Sequence, residues 1–311
     1  MLLVIVYLAI GIVIFIFGII LLTSGLKTVS KQKISKFISK FSNNIFMSIF
    51  TGFIITLTLQ SSSMVTIIAV TLADAKLLTL NTSAGIIMGA NIGTTIAVQI
   101  YAFNFFAIAP YAVFLGSLFY FQKQNLKLKF LGNVILGFGI IFYGLKIMSL
   151  ATAPFRDIQN SYLLTDKISN PIIGILSGII SALILQSSNI GIAILQVLAS
   201  SGLVTLKYSL PVIYGLNIGT CSEAFLISFA TNKEGKKVAI FNILFNFIGT
   251  IIFLPFTSYF EQFLNIISPH NSARQIANAH TFFNLFTAII IIPFLKYIFY
   301  LINIIIDKRN T

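Results

Sequence analysis

A polar block interrupts an apolar run twice in this chain, and the two interruptions are spaced alike. Gln60-Ser61-Ser62-Ser63 falls inside the apolar stretch 45–72, and Asn91-Ile92-Gly93-Thr94-Thr95 begins 31 residues after Gln60. Gln186-Ser187-Ser188-Asn189 falls inside 170–200, and Asn217-Ile218-Gly219-Thr220 begins 31 residues after Gln186. Both blocks are offset by 126, and at that offset Gly52 falls on Gly178, Gly89 on Gly215 and Gly85 on Pro211. Chance can align a Gln-Ser-Ser; it rarely aligns two polar blocks and their glycines at one spacing. The pattern reads as an internal duplication with a working polar cluster in each copy.

The surroundings decide the class. Of 311 residues, 57% are hydrophobic and 9% charged, more apolar surface than a water-soluble domain of this length uses. Stretches of about 20 apolar residues span a bilayer, and several are present. A β-barrel would alternate apolar and polar residues in short segments, and these runs do not. The chain reads as an all-α polytopic membrane protein with a single transmembrane domain. Its net charge of +13 does not point to nucleic acid, because the lysines gather in short connectors, where membrane topology is written. One cysteine, Cys221, excludes a disulfide framework. The first 22 residues lack a basic start and a small-residue cleavage site, and read as a retained helix.

Helices are expected at about 3–23, 84–103, 105–121, 130–150, 208–231, 238–256 and 276–303. The connector 24–44 carries Lys27, Lys31, Lys33, Lys36 and Lys40 without an acid, and 122–129 carries Lys123, Lys127 and Lys129. If each broken stretch crossed the membrane once, these two basic connectors would face opposite sides. If each enters and returns as a re-entrant hairpin, both lie inside, with 232–237 and the tail of Asp307, Lys308 and Arg309. The connector 151–169 (Arg156, Asp157, Asp166, Lys167) and 257–275 (Glu261, Arg274) then lie outside. Only the second arrangement obeys the positive-inside rule throughout. It places the N-terminus outside and the C-terminus in the cytoplasm. It also makes the copies, about 3–121 and about 130–256, inverted relative to each other, as in many secondary transporters. A weaker echo at offset 38 matches Ala239, Asn242, Phe245, Asn246 and Pro255 with Ala277, His280, Phe283, Asn284 and Pro293, and reads as a repeated packing helix.

An unpaired polar group in lipid costs several kcal/mol, roughly, and broken backbone survives there only in protein or against a cavity. Half-helix N-termini suit an anion. Serine hydroxyls donate to oxyanions or accept a cation, and glutamine and backbone carbonyls suit sodium. The blocks therefore fit an anion moved together with a cation, and Asn91, Thr94, Thr95, Asn217 and Thr220 add neutral oxygens.

These paired blocks resemble the sodium-dependent phosphate cotransporters of the type II family, over roughly residues 10–295. The resemblance implies two inverted hairpins holding phosphate and sodium. Gln60, Ser61, Ser62 and Ser63 would serve one side of the site, and Gln186, Ser187 and Ser188 the other. Sodium would share Gln60, Ser63, Gln186, Ser188 and Thr220. Asn189 stands where the pattern has a third serine, so one ion or phosphate contact differs. Some bacterial members carry a soluble regulatory domain, which is not expected in this sequence. The implied protein is a secondary active transporter of the plasma membrane, not an enzyme, without cofactor, partnered by phosphate, sodium and lipid. Homo-oligomerisation is compatible with this.

Single residues add less. Glu223 follows Thr220 by three and could bind sodium or carry a proton, or pair with Lys233. Asp74 ends the first hairpin near Lys76. Lys146 snorkels near an outer helix end, His280 packs, and Cys221 acts as a small apolar residue. Three rivals stay open: a sodium- or proton-coupled transporter of another oxyanion, an anion channel, and an intramembrane serine hydrolase with His280 beside Ser63.

Overall fold

The computed structural model describes residues 2–30, 44–122, 125–155 and 170–307. Lys31, Lys33, Lys36, Lys40, Lys123, Arg156, Asp157, Asp166, Lys167, Lys308 and Arg309 lie outside the described residues, as do the side chains of Lys27 and Asp307. Among the described residues the architecture is helical, with six helices long and apolar enough to cross a membrane and five shorter apolar ones.

The first long helix, α1 (Leu2–Ser30), is followed by a pair of short helices, α2 (Ile45–Leu59) and α3 (Ser62–Asp74), and then by α4 (Leu80–Tyr101). After α5 (Ala109–Tyr120) and α6 (Leu126–Thr152) the short pair returns as α7 (Pro171–Leu185) and α8 (Ser188–Ser200), followed by α9 (Leu206–Gly219) and α10 (Ser222–Ser228). The bounds of α7 and α8 are those of α2 and α3 plus 126. Helix starts repeat with them: Asn44, Ser61 and Thr79 each accept a backbone N–H of the following turn, and so do Asn170, Ser187 and Thr205. Such caps satisfy donors that a helix start otherwise leaves without partners. The left-handed backbone at Lys76 (φ 59°) recurs at Gly202 (φ 74°).

Glycine contacts set the direction of each helix. A Cβ on Gly85 would meet Ser48, one on Gly89 would overlap the Ile49 carbonyl, and one on Gly93 would meet Phe53 and Thr56. The contacts rise together along both helices, so α2 and α4 run parallel. The chain must therefore come back along α3 to begin α4 at the level where α2 began, which makes α2–α3 a hairpin. At about 1.5 Å per residue its arms reach roughly 20 Å, short of a bilayer core of about 30 Å. Gly178 against Val212, Gly215 against Ile175 and Gly219 against Ile179 give α7 and α9 the same register. Asp74 accepts from the backbone N–H of Asn232 at 2.6 Å. Residues 74 and 232 therefore lie on one side, which a single crossing of each broken stretch would forbid.

By contrast, α1 and α6 run antiparallel. Gly11 meets Gly144 and Met148, Gly18 meets Gly137 and Ile141, and Gly25 meets Phe130 and Asn133. The small residues let the backbones approach closely, as in membrane helix pairs generally.

The remaining chain braces the two hairpins. α11 (Lys233–Phe253) continues through a 3₁₀ turn at Leu254–Phe256 into α12 (Thr257–Ile267). α13 (Ser272–Ile291) continues through Ile292–Phe294 into α14 (Leu295–Asp307). The offset of 38 holds for the turns as well as for the residues. Val238, Ala239, Phe241 and Phe245 of α11 pack into a core with α2, α3 and α4. Ile276, Ala277 and Phe283 of α13 pack into another with α8 and α9.

Two expectations are corrected. The helix expected over 208–231 is broken: Thr220 Oγ1 donates to the Asn217 carbonyl at 2.8 Å and Cys221 N to that of Ile218 at 3.0 Å. The interruption is local, α9 and α10 together forming one apolar span over Leu206–Ser228, whereas α4 continues unbroken through the matching positions. The expected loop 257–275 is helical up to Ile267, because Pro255 costs one backbone donor and kinks the helix without ending it. Phe260 and Leu264 are buried, and Glu261 rides on α12.

Glycine packing makes a stability prediction. In Gly89→Ala the new methyl meets backbone on the facing helix, which should destabilise by on the order of 1–3 kcal/mol. In Gly191→Ala it meets the movable end of Leu216 and should cost less. Thermal unfolding in detergent compares them; equal losses would contradict backbone-limited packing.

Candidate functional site

Each hairpin turns in two residues. Gln60 (φ 55°, ψ 27°) and Gln186 (φ 49°, ψ 28°) end the first arms in left-handed backbone, their N–H groups bonded to Thr56 O and Ala182 O. This is the closure of a left-handed helix cap, in a conformation costing a residue with a Cβ roughly 1–2 kcal/mol. Ser61 and Ser187 are then extended, and their hydroxyls accept from Met64 N at 3.2 Å and Ile190 N at 3.5 Å. One serine of each block is thus spent on capping. The next residues, Ser62-Ser63 and Ser188-Asn189, open the second arms at the positive end of the helix dipole. Gln60 Nε2 donates to the Leu57 carbonyl at 2.6 Å, which leaves its amide oxygen as an acceptor.

The two tips meet. A cavity of about 480 Å³ is lined by Gln60 to Ser63, by Gln186 to Asn189, and by Thr94 and Thr220 from the helices behind them. Its remaining wall is the face of α1 that carries Ile16, Ile19, Ile20, Thr23 and Ser24. Two buried polar atoms of the lining, Thr94 Oγ1 and Asn189 Oδ1, have no partner among the described residues. Buried polar atoms are normally satisfied, so these two mark places for water, an ion or a substrate.

The other proposed residues stand back from the cavity. Asn91 and Asn217 each donate Nδ2 to a carbonyl four residues earlier, at 3.2 and 3.1 Å. Thr95 donates to Ile92 O at 2.8 Å. Asn217 Oδ1 lies 3.2 Å from His280 Nε2, so His280 joins α13 to α9 and does not line the serine cavity. Glu223 sits in α10, half-buried and beside Ser63. It therefore reaches the first hairpin from behind the cavity wall. Cys221 is buried against Asn242 and Asn246.

The α1 face was missing from the sequence reading. Thr23 and Ser24, polar residues ending an apolar run, were its only signal.

These features define the class: a helical membrane protein whose two broken-helix hairpins close on one polar cavity. The Na+/Pi-cotransporter family model matches residues 14–150 and 156–269, and the chain belongs to that family. It is 28% identical over 259 residues to "Uncharacterized protein YqeW" of Bacillus subtilis, covering 82% of this chain and 83% of that one. To "Putative inorganic phosphate export protein YjbB" of Escherichia coli it is 25% identical over 218 residues, 70% of this chain and 40% of that protein. To human "Sodium-dependent phosphate transport protein 2B" it is 24% identical over 151 residues, 44% of this chain and 22% of that protein. The chain thus spans well under half the length of these last two. No solved structure matches it.

The His280–Asn217 contact is testable. His280→Leu leaves Asn217 Oδ1 buried and unpaired, which should cost about 1–3 kcal/mol. Asn217→Leu should then cost less in that background than alone. Additive losses in thermal unfolding would show that the pair is not coupled.

Proposed function

We propose that the chain is a secondary active transporter that couples sodium to the movement of inorganic phosphate by alternating access. One observation carries the reading: Ser62-Ser63 and Ser188-Asn189 bring two half-helix N-termini into one cavity that also holds two unpaired buried oxygens. Backbone N–H groups and the hydroxyls of Ser62 and Ser188 suit the oxygens of phosphate. The Gln60 amide oxygen, Asn189 Oδ1 and Thr94 Oγ1 are neutral oxygens suited to sodium. Asn189 therefore turns the departure from a third serine into an extra cation ligand. Membership in the family and the names of two relatives favour phosphate over another oxyanion. The relatives differ in direction, one named for export and one for sodium-dependent transport, and this site is neutral between uptake and efflux. The serine-hydrolase alternative loses support, since neither histidine lines the cavity.

Alternating access is supported by the antiparallel pair α1–α6. Gly11 and Gly18 map onto Gly137 and Gly144 at offset 126, and each meets the counterpart of the other. Exchange of that kind marks a two-fold relation. Because the paired helices span the membrane in opposite directions, the operation inverts one copy relative to the other. Two inverted copies around one site can exchange conformations and so expose it to either side.

Single cysteines in place of Met64 and Ile190, beside the two tips, test this. Each should label from both sides of the membrane in some ionic condition; labelling from one side in every condition would refute alternating exposure. Ser62→Ala and Ser188→Ala should each weaken phosphate binding about tenfold or more, the loss of a charge-assisted hydrogen bond. Unchanged binding in both variants would sink the site assignment.

A further inference from the structure

A second cavity, of about 240 Å³, lies between the ends of α4, α6 and α8 and the start of α13. Its polar lining is Tyr101, Asn104, Ser149, Gln196, Ser200 and Asn271. On α6, Leu145 and Ser149 line it, and they stand 126 residues after Ile19 and Thr23, which line the central cavity. The second cavity thus occupies on α6 the place that the central one occupies on α1. A core of Phe15, Phe142, Leu145, Ile190 and Ala193, with Tyr101 packed against it, belongs to the ground between them.

Gln196 gives this cavity a chemical preference. It is 3% exposed. Its Nε2 donates to Val98 O of α4 at 3.1 Å and to Ala273 O of α13 at 3.2 Å. Both partners are carbonyl acceptors, so the amide cannot turn over. Its Oε1 is left buried with no partner among the described residues, and needs a donor. The charge beside the cavity is positive: the Arg274 guanidinium lies 4.0 Å from the ring centre of Phe103, which lines it, and Nη1 is 2.7 Å from Gln99 Oε1. Among the described residues no acidic side chain lines it. A ligand that meets both demands carries negative charge and an O–H. A fully deprotonated tetrahedral anion would instead set an oxygen against Oε1.

We propose that this cavity is an outer station for a protonated oxyanion, with Gln196 Oε1 accepting the ligand's O–H and the side-chain amides of Asn104 and Asn271 donating to its other oxygens. It rests on the reading of the chain as an oxyanion transporter and adds a second, selective site to it. In the other conformation, opening of the α6–α8 seam would join the station to the hairpin tips.

The test uses the full chain in lipid nanodiscs with Ser200→Cys, an exposed position, and a membrane-impermeant thiol reagent; Cys221 is buried. Inorganic phosphate at ten times its dissociation constant should slow labelling about tenfold by simple occupancy, and sulfate should not. Protection should persist when Ser62→Ala and Ser188→Ala are added, and vanish with Gln196→Leu. Absence of protection by phosphate, equal protection by sulfate, or its loss with the tip variants would each overturn the station. Transport is measured separately on the same variants. A chain that moves phosphate without protection of Ser200→Cys overturns the outer station alone.

Discussion

Backbone against backbone, with no side chain between, is the contact on which the rest of this structure depends. Gly52 and Gly89 let α2 and α4 touch through main chain, and Gly178 and Gly215 do the same for α7 and α9. That closeness presses each short first arm onto the helix that follows its hairpin. An arm of 15 residues cannot cross a bilayer and cannot leave its last carbonyls in lipid. Held against α4 or α9, it can stop near mid-membrane, turn through one left-handed glutamine and one extended serine, and return. The polar tips exist because the glycines hold them away from lipid.

From those tips follows the chemistry. Capping consumes Ser61 and Ser187, so the hydroxyls and amides left for a ligand come from the next two positions of each block. Thr94 and Thr220 reach the cavity because the parallel register sets Gly93 and Gly219 beside the last turns of α2 and α7. The copies are alike in backbone and unlike in detail. Asn189 replaces a serine, α9 breaks where α4 continues, and α1 walls the cavity while α6 packs on α8.

The repeated blocks and the bounds of both hairpins were legible in the sequence, because polar residues in an apolar run and glycines at fixed spacing are local signals. The direction of each hairpin was legible only through charge, and most of those charges lie outside the described residues. The Asp74–Asn232 bond sets residues 74 and 232 on one side. Other features were not legible, for physical reasons. Ile16, Ile19 and Ile20 wall the cavity, yet they look like lipid-facing residues. The break after Gly219 has no counterpart in α4, where Thr95 donates to the carbonyl three residues back as Thr220 does and the helix continues. Helix α12 was hidden by Pro255, which kinks here and does not terminate. Arg274 and Gln99 meet across 175 residues of sequence, a pairing that no local pattern announces. Asn91, Thr95, Asn217 and Glu223 resembled cavity residues by spacing. The structure places them one layer behind.

The central claim is that a single polar cavity binds phosphate and sodium and is exposed to each side in turn. Its most direct test is radiolabelled phosphate in proteoliposomes holding only the purified chain, with and without an inward sodium gradient. The account predicts accumulation above the equilibrium level that depends on the gradient and collapses when it is dissipated. Equilibration that is indifferent to sodium would contradict the account and make the cavity part of a channel.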